Sequence, residues 1–173
     1  MSLKKGLIEI YTGCGKGKTT AALGLAIRAN GAGLKTCIYQ FIKGKSYSEL
    51  KALKRLSGIN VIQCGRGCFI KKQPAKKDIE LARGGLERAE KIISSRKYDL
   101  VILDEINVAL RLGLIDKKDL IRIIKEKPAR VELILTGRYC PKSLYKHADL
   151  ITDMREIKHP YQRGIKARRG IEF

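Results

Sequence analysis

Thr12-Gly13-Cys14-Gly15-Lys16-Gly17-Lys18-Thr19-Thr20 is the stretch that decides the fold. An apolar run, Gly6-Leu7-Ile8-Glu9-Ile10-Tyr11, leads into it. Ala21-Ala22-Leu23-Gly24-Leu25-Ala26-Ile27, good helix material, follows it. Strand, glycine-rich turn, Gly-Lys-Thr and helix, in that order, make a phosphate-binding loop. Backbone N–H groups and the positive end of the new helix then face an anion. Glycines let the backbone come close to that anion. Lys18 adds a point charge, and the Thr19 hydroxyl supplies an oxygen of the kind magnesium takes. The alternative, a plain glycine-rich turn, is disfavoured because both flanking elements are also right. The loop is irregular in one respect. The usual pattern has a glycine, four intervening residues and then Gly-Lys-Ser/Thr. Here the first-glycine position holds Thr12, and the glycine arrives one residue late at Gly13. The loop is either one residue short or begins differently, which implies an unusual grip on its ligand.

Outward from the loop, the first strand is predicted over residues 6–11 and the first helix over Lys18–Asn30. Thr36–Ile42 is an apolar, β-rich interior strand that ends in the polar turn Lys43-Gly44-Lys45-Ser46. A short helix is expected from Tyr47 to Leu56 and a third strand over Asn60–Cys64. The segment 65–74 is a long loop at the end of a strand, a usual place for function. Ala75–Arg96 reads as a longer helix. Tyr98–Glu105 is the clearest buried strand, closed by Asp104 and Glu105. Paired with a phosphate loop, such a carboxylate holds magnesium directly or through water. Ile106–Leu112 continues as helix or turn. A helical stretch follows from Leu114 to Lys127, with Asp116 as N-cap and Pro128 as stop. Val131–Thr136 is another buried strand, Pro141–His147 a short helix beginning with proline, and Asp149–Met154 a last strand. Strands alternating with helices give an α/β fold. Its central sheet is mostly parallel, with helices on both faces, in one domain over residues 1–173 that carries a basic tail from about 155.

Composition narrows the function classes. No apolar run approaches membrane-spanning length. Met1-Ser2-Leu3-Lys4-Lys5 leads directly into the first strand, so no signal peptide is expected. Five scattered cysteines, an odd number, read as reduced thiols of a cytoplasmic protein. Against 37 Lys and Arg stand 17 Asp and Glu, a net charge of +20 that attracts polyanions. Basic residues recur over 66–97 and 155–169, without an aromatic stripe or nucleic-acid-binding signature. A functional field and a simply solvated basic surface both remain open. Cys64 and Cys68 lack the spacing and partners of a metal site, and neither His147 nor His159 lies in a catalytic pattern. Arg28 and Arg138 are better placed, since arginine pairs bidentately with phosphate oxygens; each could equally be a surface arginine.

Four stretches agree with one family: residues 12–22, Gln40-Phe41-Ile42-Lys43-Gly44, Leu103-Asp104-Glu105-Ile106-Asn107 and Leu135-Thr136-Gly137-Arg138. Lys158-His159-Pro160 and Gly170-Ile171-Glu172-Phe173 fit as well. The chain resembles, over nearly its whole length, the phosphate-loop type of ATP:corrinoid adenosyltransferase. The resemblance implies a three-layer P-loop NTPase-like (RecA-like) fold. It also implies transfer of the 5′-deoxyadenosyl group of ATP to the Co(I) of a reduced corrinoid, with triphosphate leaving. ATP would bind in the reverse sense from ordinary phosphate-loop enzymes, which accounts for the altered loop. The metal of the corrinoid is the nucleophile, so no protein base is needed.

By resemblance, the loop Thr12, Gly13, Cys14, Gly15, Lys16, Gly17, Lys18, Thr19 and Thr20 cradles the triphosphate, with Lys18 its main charge. Thr19 with Asp104 or Glu105 serves Mg2+. Arg28 reaches a phosphate, and Asn107 and Arg138 shape the nucleotide site. The family carries Asn where this chain has Cys14, and an aromatic-rich corrin-contacting segment where it has only Phe69 and Ile70 as bulky apolar groups. The resemblance further implies a homodimer and an electron-transfer flavoprotein as reductant, whose acidic surface would suit the basic field. Two other functions share the motifs. A nucleic-acid-dependent ATPase would show hydrolysis stimulated by DNA or RNA. A non-catalytic nucleotide or corrinoid carrier would bind both ligands and turn neither over.

Overall fold

A computed structural model describes residues 2–45, 47–67 and 73–172. The expected corrin-contacting residues Phe69 and Ile70, and with them Cys68, lie outside the described residues. The elements run β1 (Ile8–Thr12), α1 (Lys18–Gly31), β2 (Thr36–Phe41), α2 (Ser48–Leu53), β3 (Ile59–Cys64), α3 (Lys76–Ser95), β4 (Leu100–Asp104), α4 (Ile106–Arg111), α5 (Lys117–Glu126), β5 (Glu132–Thr136) and β6 (Leu150–Asp153). Single 3-10 turns cover Lys142–His147 and Pro160–Arg163. The sheet has the order β3-β2-β4-β5-β1-β6, and every pairing in it is parallel.

Period-two alternation sorts the strand residues onto two faces. Cys37, Tyr39 and Phe41 of β2, Val101 and Leu103 of β4, and Leu133 and Leu135 of β5 pack with Ala82, Leu86, Ala89 and Ile93 of α3 and with Leu120 and Ile123 of α5. Ile38, Ile102 and Ile134 face the other way, onto Ala22, Leu23, Ala26 and Ala29 of α1 and Leu53 of α2. Burial on both faces is what continuous apolar strands such as Leu100-Val101-Ile102-Leu103 require. The small residues of α1 let it lie close against the sheet. The layers match the sequence expectation, and the expected "mostly parallel" sheet is parallel throughout.

Several local expectations need correction. Ile42 is not the last residue of β2: its backbone is left-handed (φ 67°), so the chain leaves the sheet at Phe41. Glu105, expected to close β4, likewise turns left-handed (φ 62°) and becomes the N-cap of α4. The expected helix over Tyr47–Leu56 holds only Ser48–Leu53. Pro141 precedes its helix rather than opening it, and that helix is a 3-10 turn. Asp116 caps α5 as expected, its carboxylate accepting from the Lys118 amide at 2.7 Å.

Candidate active site

The parallel sheet collects its functional side chains at one edge, where strands end and loops begin. β1 ends there in the glycine-rich loop, and β4 ends in Asp104. β5 stands between them, so Thr136 at its end reaches across. Gln40 is the register partner of Asp104 on the other side. Parity puts Gln40, Asp104 and Thr136 on the face toward α1, whose first turn carries Thr19. Asp104 and Thr136 close their strands and Gln40 is the last residue but one of β2; all three are polar and buried.

The loop grips itself and its neighbour. Lys18 Nζ donates to the carbonyls of Gly13 (2.7 Å) and Gly15 (2.6 Å). Burial and then the charge of Arg138 push the Lys18 ammonium below its ordinary range, while Glu105 pulls it back. α1 starts from Gly17 (φ 118°) with no acidic residue in its first turn, and no side chain caps it among the described residues. Its first amides are therefore open donors at the positive end of a helix.

Gly13 and Gly15 do something the sequence did not suggest. A Cβ on Gly13 would sit 2.5 Å from the Met154 carbonyl oxygen, and one on Gly15 would sit 2.6 Å from the same atom and 2.7 Å from that of Arg155. The Gly15 amide donates to Met154 O at 2.7 Å, and the Met154 amide donates to Thr12 O at 2.9 Å. These glycines are required by the chain leaving β6, not only by an anion. The late glycine follows from this. Thr12 is still a strand residue, paired with Asp153, buried, and accepting from the Cys140 amide at 3.3 Å. Crowding by β6 begins only at residue 13.

The carboxylate end is a compact polar knot. Asp104 Oδ1 accepts from Thr136 Oγ1 (2.7 Å) and Thr19 Oγ1 (2.9 Å). Asp104 Oδ2 accepts from Lys43 Nζ (2.8 Å) and, more loosely, from Gln40 (3.5 Å). Lys43 also donates to Thr19 Oγ1 at 3.3 Å. Thr136 Oγ1 accepts the Glu105 amide at 3.0 Å, which fixes the turn after β4. Burial, then the neighbouring Asp104 charge, raises the Glu105 carboxyl; Lys43, Lys18 and Arg138 oppose this. Asp104, Glu105 and the Thr19 hydroxyl are hard oxygen donors, a set that fits magnesium held by one or two carboxylates plus phosphate. Of the four non-glycine residues with left-handed backbone among the described residues, Ile42, Glu105 and Tyr139 follow the ends of β2, β4 and β5. Strain of this kind is concentrated around the site.

Most expected site residues converge. Thr19 and Asp104 meet directly, and Lys18, Glu105 and the exposed Arg138 are close enough to act on one another by charge. Asn107 is fully buried. Its amide donates to Gly137 O at 3.2 Å, and its Oδ1 has no partner among the described residues. Cys14, Lys16 and Thr20 are exposed on the outer side of the loop, where Lys16 pairs with Glu172 at 3.1 Å. Arg28 is not brought to the loop. It sits exposed in the last turn of α1, about 15 Å along the axis from Lys18. Sequence reasoning gave no role to Lys43, Thr136 or Gln40. The available signal was a polar residue at or beside the end of a buried strand.

A parallel α/β sheet with a phosphate loop on β1 and a carboxylate on β4, one strand apart, defines a P-loop nucleotide-binding protein. A KaiC-like protein from Pyrococcus horikoshii shares this fold, with TM-score 0.53 and 13% identity over 86% of this chain and 72% of that one. Residues 4–173 match the family model described as ATP:corrinoid adenosyltransferase BtuR/CobO/CobP, and the chain belongs to that family. A corrinoid adenosyltransferase of Sinorhizobium is 39% identical over 98% of this chain and 81% of its own length. Those of Pseudomonas aeruginosa and Escherichia coli K12 are 32% and 31% identical over 98% of this chain, and over 85% and 87% of theirs.

Proposed function

We propose that this protein transfers the 5′-deoxyadenosyl group of ATP to the Co(I) of a reduced corrinoid and releases inorganic triphosphate. Family membership supports the reaction, and the observation that carries it onto these residues is the loop itself. Its late glycine, its inward-turned Lys18 and its uncapped helix end make an anion cradle beside a carboxylate pair. The cobalt electron pair forms the new cobalt–carbon bond at C5′. The carbon–oxygen bond to the triphosphate breaks, and its electron pair leaves on oxygen. The protein therefore needs no general base; it must hold C5′ in line and stabilise the leaving charge.

In this reading the amides of residues 13–20 and the ammonium of Lys18 bind the triphosphate. Lys18 must leave the Gly13 and Gly15 carbonyls to do so. Thr19 with Asp104 or Glu105 would hold magnesium, which would neutralise part of the triphosphate charge. Thr12 anchors the start of the loop. Arg138 adds charge at its mouth, and Asn107, through Gly137, sets the turn that presents Arg138. Arg28, at the far end of α1, receives no phosphate in this scheme. Phe69 and Ile70 would supply apolar contact to the corrin ring.

The reading extends to one nucleotide-binding domain over residues 1–173 with a basic tail from about 155, acting in the cytoplasm as a homodimer. An acidic flavoprotein would reduce the cobalt. No helix of the described residues is long and apolar enough to cross a membrane. The test is incubation with ATP, magnesium and chemically reduced corrinoid. A cobalt–carbon bond and triphosphate in equal amounts are expected. ADP and phosphate in their place would overturn the proposal.

A further inference from the structure

Two side chains expected to serve magnesium, Thr19 and Asp104, are already bridged by a cation of the protein. Lys43 Nζ lies 2.8 Å from Asp104 Oδ2 and 3.3 Å from Thr19 Oγ1. The pair is deep: the Asp104 side chain is 1% exposed and that of Lys43 18%. The ammonium thus sits between the Asp104 carboxylate and the Thr19 hydroxyl. It is carried on the turn after β2, and Ile42 just before it holds a left-handed conformation that costs a β-branched residue energy. The loop beyond is pinned from the other side: Gly44 packs against the Gly65 backbone and Gln63 donates to Lys45 O at 2.9 Å. The fold thus fixes the turn and leaves the long Lys43 side chain as the part that can move.

An ammonium and a divalent ion cannot both sit against Asp104 and Thr19 without strong repulsion. We infer that Lys43 is a resident counter-cation of the metal position. It holds the Thr19–Asp104 pair assembled in the nucleotide-free protein, and it is displaced when magnesium arrives with ATP. This rests on the proposed nucleotide site and goes beyond it by assigning Lys43 a competitive role in metal loading. Such a residue tunes how strongly magnesium and ATP help each other bind.

The test measures ATP affinity by calorimetry in saturating magnesium and in EDTA, for wild type, Lys43→Met and Lys43→Gln. The quantity read is the ratio of the two dissociation constants. With the competitor removed, magnesium should improve ATP binding at least fivefold more than in wild type, within the usual range of coupling between sites. An unchanged ratio, with ATP binding weakened equally in both conditions, would make Lys43 a phosphate ligand and overturn the inference. Should both variants fail to fold, 15N signals of the lysine ammonium groups in wild type decide. The Lys43 signal is assigned by its loss in Lys43→Arg. Its hydrogen-bonded resonance should persist with ATP in EDTA and disappear with magnesium and ATP, and persistence in both overturns the inference. Wild type that binds no ATP in magnesium would instead refute the nucleotide site itself.

Discussion

Replacing Thr136 by valine tests whether the polar knot at the strand ends holds the site together. The shape is nearly unchanged, and only the hydroxyl is lost. That hydroxyl donates to Asp104 Oδ1 at 2.7 Å in buried surroundings and accepts the Glu105 amide at 3.0 Å in partly buried ones. A hydrogen bond to a charged group contributes about 1.5–3 kcal/mol, and a stranded buried amide costs about 1–3 kcal/mol. The valine methyl returns about 0.8 kcal/mol of burial. The net loss expected is about 2–5 kcal/mol, or roughly 4–20 °C in Tm for a protein of this size. Urea unfolding followed by circular dichroism reads it, with Thr136→Ser as control. Serine keeps both hydrogen bonds and should lose only about 1 kcal/mol for its missing methyl. A valine variant within about 1 kcal/mol of wild type would refute the account, because Asp104 and the turn at Glu105 would then be held by other groups.

Other consequences are as direct. Lys18→Met should weaken ATP binding about 100-fold, as for loss of a desolvated charge partner worth about 3 kcal/mol, read by calorimetry. At the opposite end of the sheet, Glu132 accepts from the Leu7 amide at 2.6 Å, and burial, helped by Glu9, pushes its carboxyl up to about 7. The folded state therefore binds the proton more tightly than the unfolded chain. Glu132 favours folding fully below the ordinary value of 4.5, and that contribution is lost as pH rises toward 7. Glu132→Gln should match wild type in Tm near pH 4 and exceed it above pH 7; parallel pH curves would refute this. Gly85→Ala places a Cβ 2.6 Å from Cys64 Sγ and should cost about 1–3 kcal/mol in urea unfolding.

The layers and the loop–carboxylate pairing were legible because each rests on local signals. Residues 6–27 carry strand, turn and helix within one continuous stretch, and Leu100-Val101-Ile102-Leu103-Asp104 is apolar up to its last residue. What escaped depends on distance or on reach. Arg28 looked close in sequence, but ten helical residues carry it to the far end of α1. Lys43 looked like a polar turn residue; only the β2–β4 register shows that its side chain spans to Asp104. Gly13 and Gly15 looked like ligand glycines because their crowding partner, Met154, stands some 140 positions later in the chain. The left-handed backbone at Ile42 and Glu105 goes against the preference of both residue types and had no sequence signal.

That long-range contact also sets an order of assembly. The motif at residues 12–20 is synthesised well before residues 150–155, yet its form depends on β6 pairing with β1 and on residues 154–155 closing over it. Pairings this distant in sequence are slow to form and come late. A nascent or truncated chain ending before Leu150 would hold every residue of the loop and still lack a competent cradle. Nucleotide capture thereby becomes a readout of completed folding rather than of the motif alone.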